Sequence, residues 1–228
     1  MKSGDLLWGL ALAGSAALLG IPAGQEAFVA FTTGHPYLAG FLKFAWLATL
    51  GELLALRIGA GRWVLPGALG ARAFIWGLLG ISITLAFAVF TEGTRGAMQR
   101  GLLPGGAGPL GLAFFTSTLM NLTFGPVLMG THRFTDTWLD MRCEGLTRIG
   151  VAEVARRIDW VGFCDFVLLK TIPIFWIPAH TAVFLLPAEF RVVAAAFLSV
   201  ALGGILAFAK KARPGPGQAP SLASSSQE

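Results

Sequence analysis

Six stretches of the chain run apolar for long enough to cross a bilayer, at about residues 6–22, 37–56, 73–91, 109–130, 160–182 and 188–208. Charged residues, glycines and prolines close each one off. About 20 apolar residues of helix cover a hydrocarbon core of roughly 30 Å. The pattern therefore predicts an all-α, polytopic transmembrane helix bundle of about six spans, occupying residues 1–210 as one domain. Residues 211–228 are rich in Pro, Gly and Ser with no apolar period, and are expected to form a disordered cytoplasmic tail.

Composition agrees with the pattern. Of 228 residues, 55% are hydrophobic and 13% charged, and the mean hydropathy is +0.70. A soluble domain carries about 25% charged residues. The pI of 9.8 would suggest nucleic acid in a soluble protein. Here the cations fall between apolar spans, where they suit lipid headgroups, so the expected partner is the bilayer and not nucleic acid. With the N-terminus inside, 12 of the 17 Lys and Arg residues fall in inner segments and 3 in outer loops. That asymmetry predicts both termini in the cytoplasm, with a bacterial inner membrane as the expected setting. Residues 1–24 have the cationic start and apolar middle of a signal peptide but no clean small-residue cleavage site. They are read as an uncleaved first span. Cys143 and Cys164 have no metal-ligand spacing and are expected as unpaired thiols. No metal, cofactor or nucleotide-binding loop is expected.

The second span carries Lys43 and Glu52. Lys43 lies only about 5 Å from the middle of the stretch, at about 1.5 Å rise per residue. A charge at that depth costs at least ~2.5 kcal/mol unless protein or water shields it. The nine residues between the two sweep roughly 900° of helix, which puts them on opposite sides. Each therefore needs a partner from a different helix. In the fourth span Ser117, Asn121 and Gly125 recur every four residues, with Thr118 beside them. This face suits close helix packing or a polar lining for a solute path, with Asn121 the residue most suited to the second role. The fifth span holds Pro173 and Pro178, each of which removes a backbone N–H. Lys170 precedes the first, and His180 and Thr181 follow the second. Glu52 is the most economical partner for Lys170, and Asp165 is the alternative within the same span. Lys43, Glu52, Asn121, Lys170 and His180 are the candidate polar pocket, serving either as structural pairs or as a gate or proton-coupled site.

The remaining segments are plainer. Residues 22–36 are expected as a short connection on the outer surface, and 91–111 as a flexible, glycine-rich loop. The long polar stretch 131–159 has the interspersed arginines and acids of a solvated or interfacial surface. His132 and Asp136 have the i,i+4 spacing of an acid–base pair, but no nucleophile or third ligand accompanies them. In the sixth span Ala195, Ser199, Gly203 and Ala207 form a small-residue stripe, for packing in the bundle or against a second subunit as a homo-oligomer.

Several motifs resemble the Mpv-seventeen and peroxisomal-membrane-protein family of small polytopic membrane proteins. They are His35-Pro36, Leu42, Leu47 and Leu50-Gly51-Glu52, with glutamate where the family has aspartate. Gly125-Pro126-Val127, Leu139-Asp140, and Pro187 with Arg191 are similar to later family motifs. The span at 73–91 is extra, the gap from Gly125 to Asp140 is about four residues longer than the family pattern, and Ala179 and Ala182 stand where the family has amides. The resemblance implies a channel-like or membrane-homeostasis protein. Together these features predict a channel- or transporter-like protein, passive or gradient-driven. A non-catalytic scaffold or assembly factor is the alternative. An intramembrane enzyme is the remaining class, and the sequence offers it no HExxH motif, nucleophile elbow or paired aspartates within a span.

Overall fold

The computed structural model describes residues 3–105 and 108–212, with side chains as far as 205, and the regular structure in them is all helical. The tail expected over 211–228 lies outside the described residues from 213 onward. In chain order the helices are α1 (Ser3–Gly20), α2 (Pro22–Gly34), α3 (Pro36–Ala60), α4 (Leu69–Gln99) and α5 (Gly108–Cys143). Next come α6 (Val151–Arg157), α7 (Trp160–Gly162), a π-helix (Phe163–Trp176), α8 (Ile177–Phe184) and α9 (Ala188–Ala212). Six segments are long and apolar enough to cross a membrane: α1, α3, α4, α5, the run from α7 through α8, and α9.

Local chemistry sets the breaks. Pro22 and Pro36 open α2 and α3, where a missing N–H costs nothing. Gly61, left-handed at φ 68°, ends α3. Ala68 takes the same left-handed region at φ 55° just before α4, which is strained for a residue with a Cβ.

Four segments depart from simple α-helical spans joined by loops. The connection after the first span is a helix, α2: Pro22 starts it, and residues 23–33 contain no further proline and only one glycine, Gly24 in its first turn. Residues 91–99 continue α4, and 131–143 continue α5, so the bundle extends past the hydrocarbon at both ends. At 36 residues α5 is about 54 Å long, against a core of roughly 30 Å. In the fifth span the backbone winds as a π-helix over 14 residues around Pro173. That is far longer than the single-turn bulges usual for this geometry.

α3 is the central element, packed between α4 and α9, while α5 lies against α4 and α8. The α3–α4 seam closes at Gly40 and Gly80. A Cβ on Gly40 would stand 2.9 Å from the Gly80 carbonyl, and one on Gly80 would strike the Gly40 backbone. The α3–α9 seam closes at Gly51, where a Cβ would lie 3.0 Å from Val200 Cα. Gly203 meets the Gly51 carbonyl from the other side. The stripe on α9 thus faces α3 of the same chain at Ser199 and Gly203, and Ala195 is buried, so these three residues pack within the bundle. The side chain of Ala207 lies outside the described residues. α1 is peripheral and has no buried residue. Trp8 Nε1 donates to the Leu50 carbonyl at 2.9 Å, and Asp5 binds Arg57 at 2.9 Å and accepts from Trp63 Nε1 at 3.0 Å. Large apolar side chains such as Leu85, Val89, Leu122 and Ile174 cover the perimeter, as a lipid-facing surface requires.

Two substitutions test this packing. Gly80→Leu should destabilise the bundle by about 1–3 kcal/mol or more through overpacking, seen as loss of monodisperse protein in detergent, whereas Gly93→Ala, in open space, should not. Ala68→Gly should relieve the left-handed strain and raise stability by about 1 kcal/mol, read from the thermal midpoint.

Candidate functional site

The α3–α4 hairpin brings the end of one helix beside the start of the next, and α5 arrives antiparallel. Glu52, Arg72 and the last turns of α5 therefore share one end of the bundle. Arg72 is 5% exposed there. Its Nη1 donates to Asp136 at 2.9 Å and to Glu52 at 3.4 Å, its Nη2 to Asp140, and its Nε to the Gly67 carbonyl at 3.0 Å. One planar guanidinium thus ties α3, α4, α5 and the 61–68 loop together, a task suited to its fixed fork of donors. Trp76, one turn further along α4, donates Nε1 to the other Glu52 oxygen at 3.4 Å. Its ring centroid lies 4.1 Å from that of His132, and His132 Nε2 is 3.5 Å from Asp136. The i,i+4 spacing of His132 and Asp136 therefore produces a real contact, within a cluster of three carboxylates around one arginine.

Midway along the bundle a neutral polar pair forms. Asn121 and His180 Nδ1 meet at 3.0 Å, with Asn121 Nδ2 also donating to the Ser117 carbonyl at 2.8 Å. Ser117 Oγ donates to the Ile177 carbonyl at 2.7 Å, joining α5 to α8 just before Pro178. The His180 ring stacks on Trp176 at 4.9 Å and meets the edge of Phe87 at 5.7 Å. These rings surround an internal cavity of about 40 Å³ whose wall also includes Trp76 and Gly125. That is space for roughly three waters, at ~10–15 Å³ each. The Trp176 indole N–H is buried without a hydrogen-bond partner among the described residues, so it has donor capacity to spare.

At the opposite end a polar crevice of about 320 Å³ is lined by Lys43, Thr84, Thr91, Glu92 and Arg191, and by Phe87. Phe87 thus borders both this crevice and the inner cavity.

Of the five sequence candidates, Asn121 and His180 come together and the other three stand apart. Lys43 turns to α2, its Nζ 2.9 Å from Thr32 Oγ1 and 4.4 Å from the Phe28 ring centroid. Glu52 turns to Arg72 on the other side of α3, as the half-turn separation of Lys43 and Glu52 requires. Lys170 does not reach Glu52. It pairs with Asp165 at 2.6 Å, and both side chains are more than half exposed. The cause is the π-helix, whose i→i+5 winding stacks side chains five apart, where an α-helix would separate them by about 140°. Cys143 and Cys164 are free and exposed. Arg72, Trp76, Phe87 and Trp176 are the residues that sequence reasoning passed over. The i, i+4, i+8 register of His132, Asp136 and Asp140 was a usable signal for the first two, because a polar face of that length on a helix extension needs a counter-charge.

Arg72→Met should cost about 1–3 kcal/mol of stability, since it takes the counter-charge from Glu52 and Asp136, both only partly exposed, while Asp140 keeps its water. Adding Asp136→Asn should recover part of that loss. Denaturant unfolding in detergent measures both, and an unchanged midpoint for the single variant would contradict the geometry described.

No family model, curated protein or solved structure matches this chain.

Proposed function

We propose that this protein is a channel- or transporter-like integral membrane protein through which a small polar solute moves down its gradient. The observation that carries this reading is the sharing of walls. The inner cavity borders the polar crevice at Phe87 and reaches the Arg72 cluster at Trp76. A file of polar stations thus runs from Lys43, Thr84 and Thr91, through Asn121, His180 and Trp176, to Glu52, Arg72 and Asp136. The cavity is too small for a metabolite, so passage needs the Phe87 and Trp76 rings to swing aside. This arrangement is an occluded state. The Arg72 end faces the cytoplasm in this reading, following the excess of cations in its segments. Glu52 and Asp140, two residues on which the resemblance to the Mpv-seventeen family rests, meet at Arg72, which supports a functional use of that cluster in keeping with the resemblance.

A scaffold role is the second reading. Its support is that charges of α1, α3, α4 and α5, buried or half-buried, pair across helices and fix their register, as Asp5–Arg57 and Arg72–Asp136 do.

Liposome flux separates the two. Purified protein should pass small neutral solutes such as urea or glycerol faster than empty liposomes do. Phe87→Ala should raise that flux several-fold, and Asn121→Leu should abolish it while leaving the protein folded. Glu52→Gln should alter the rate. Flux equal to that of empty liposomes for wild type and Phe87→Ala alike would overturn the proposal in favour of the scaffold.

A further inference from the structure

We propose that Lys43 and the crevice bounded by α1, α2, α3 and α9 bind a membrane phospholipid, the phosphate on the Lys43 ammonium and an acyl chain in the crevice. The site shares Lys43, Thr84 and Thr91 with the outer mouth of the proposed path, but it is argued from the crevices and their charge alone. The crevice holds about 370 Å³ and is lined by apolar side chains, among them Leu18, Phe28, Leu42, Trp46 and Phe197, with Lys43 its one charged residue. Leu18, Leu42 and Trp46 are about half exposed on the lipid-facing perimeter, so the crevice opens sideways into the bilayer.

The electrostatics select an anion. Lys43 makes no ion pair among the described residues, and the charged pairs of the bundle lie elsewhere. An ammonium has three donors. Here one goes to Thr32 Oγ1 and the charge faces the Phe28 ring, which supplies only a modest cation–π attraction. A lysine seven residues into α3, about 10 Å from the start of the helix, is left with an unneutralised charge close to the hydrocarbon. A phosphate neutralises it.

The shape selects a lipid. Lys43 lines both this apolar crevice and the crevice at the Arg191 end, which carries the hydroxyls of Thr32, Thr33, Thr84 and Thr91, and Glu92 and Glu189 beside Arg191. The ammonium therefore stands at the seam between an apolar slot and a hydroxyl-lined one. That is the division of a phospholipid at its phosphate, with the chain on one side and the glycerol and headgroup on the other. A fatty carboxylate would leave the hydroxyl-lined side unused.

The test uses the full chain in mild detergent, with phosphatidylglycerol of defined chain length as the probe and native mass spectrometry as the readout. Wild-type protein should carry one bound phosphatidylglycerol. Lys43→Met should weaken that binding about tenfold or more, the scale set by loss of a charge-assisted hydrogen bond, and Lys43→Arg should keep it. Leu42→Trp, which fills the crevice from its exposed rim and leaves the cation in place, should also lose it, and decides the matter if Lys43→Met fails to fold. Equal occupancy in wild type and Lys43→Met, or full occupancy in Leu42→Trp, would overturn the proposal. So would binding of palmitate or inorganic phosphate in place of the phospholipid.

Discussion

Arg72 is the constraint around which the bundle closes. A guanidinium that is 5% exposed has no favourable position near hydrocarbon unless its donors are met, and here they are met by Glu52, Asp136, Asp140 and the Gly67 carbonyl. These acceptors come from two helices, α3 and α5, and from the loop before α4, which carries Arg72 itself, so satisfying one side chain fixes the relative register of α3, α4 and α5. The left-handed Ala68 arises from the same demand. The loop must bring Gly67 back over Arg72, and the strain at Ala68 is held in place by that bond. Charge pairs of this kind contribute more to specificity than to net stability, because desolvation offsets much of their attraction. The close glycine seams at Gly40–Gly80 and Gly51–Gly203 supply the backbone contact that stability needs.

The spans were legible in the sequence because apolar length is a one-dimensional quantity. The separation of Lys43 from Glu52 was legible too, since helical phase within one continuous helix is set by residue number alone. Partners across helices were another matter. Arg72 appeared in the sequence only as a loop cation, and its role depends on the antiparallel return of α5 to the same end of the bundle. Lys170 illustrates a second limit. Asp165 and Glu52 are both open to it in the sequence, and the choice falls to Asp165 because the π-wound backbone turns Lys170 toward it and the perimeter. Asn121 could be singled out by its small-residue face on α5. Its partner could not be fixed, because two prolines lie between Lys170 and His180 and each alters the rotation of the residues after it.

The polar groups are sorted by depth, and the sorting has a physical reason. Ionised residues occupy the two ends: the Arg72 cluster at one, and Glu92, Arg95 and Arg191 at the other. Between them the lining is mostly apolar, and its polar groups include an amide, an imidazole and an indole, which hydrogen-bond without requiring a formal charge. Asn121 stands 15 residues before Asp136 on α5, about 22 Å along the axis. A charge at that depth would cost several kcal/mol or need its own counter-ion, whereas a neutral pair needs only one mutual hydrogen bond. Lys43 is the exception to the sorting. Its ammonium is held directly only by a hydroxyl and a ring, between the apolar crevice and the charged one at that end, and the rule that places the other charges of the described residues at an end, or against an opposite charge, makes an anion from the bilayer its natural complement.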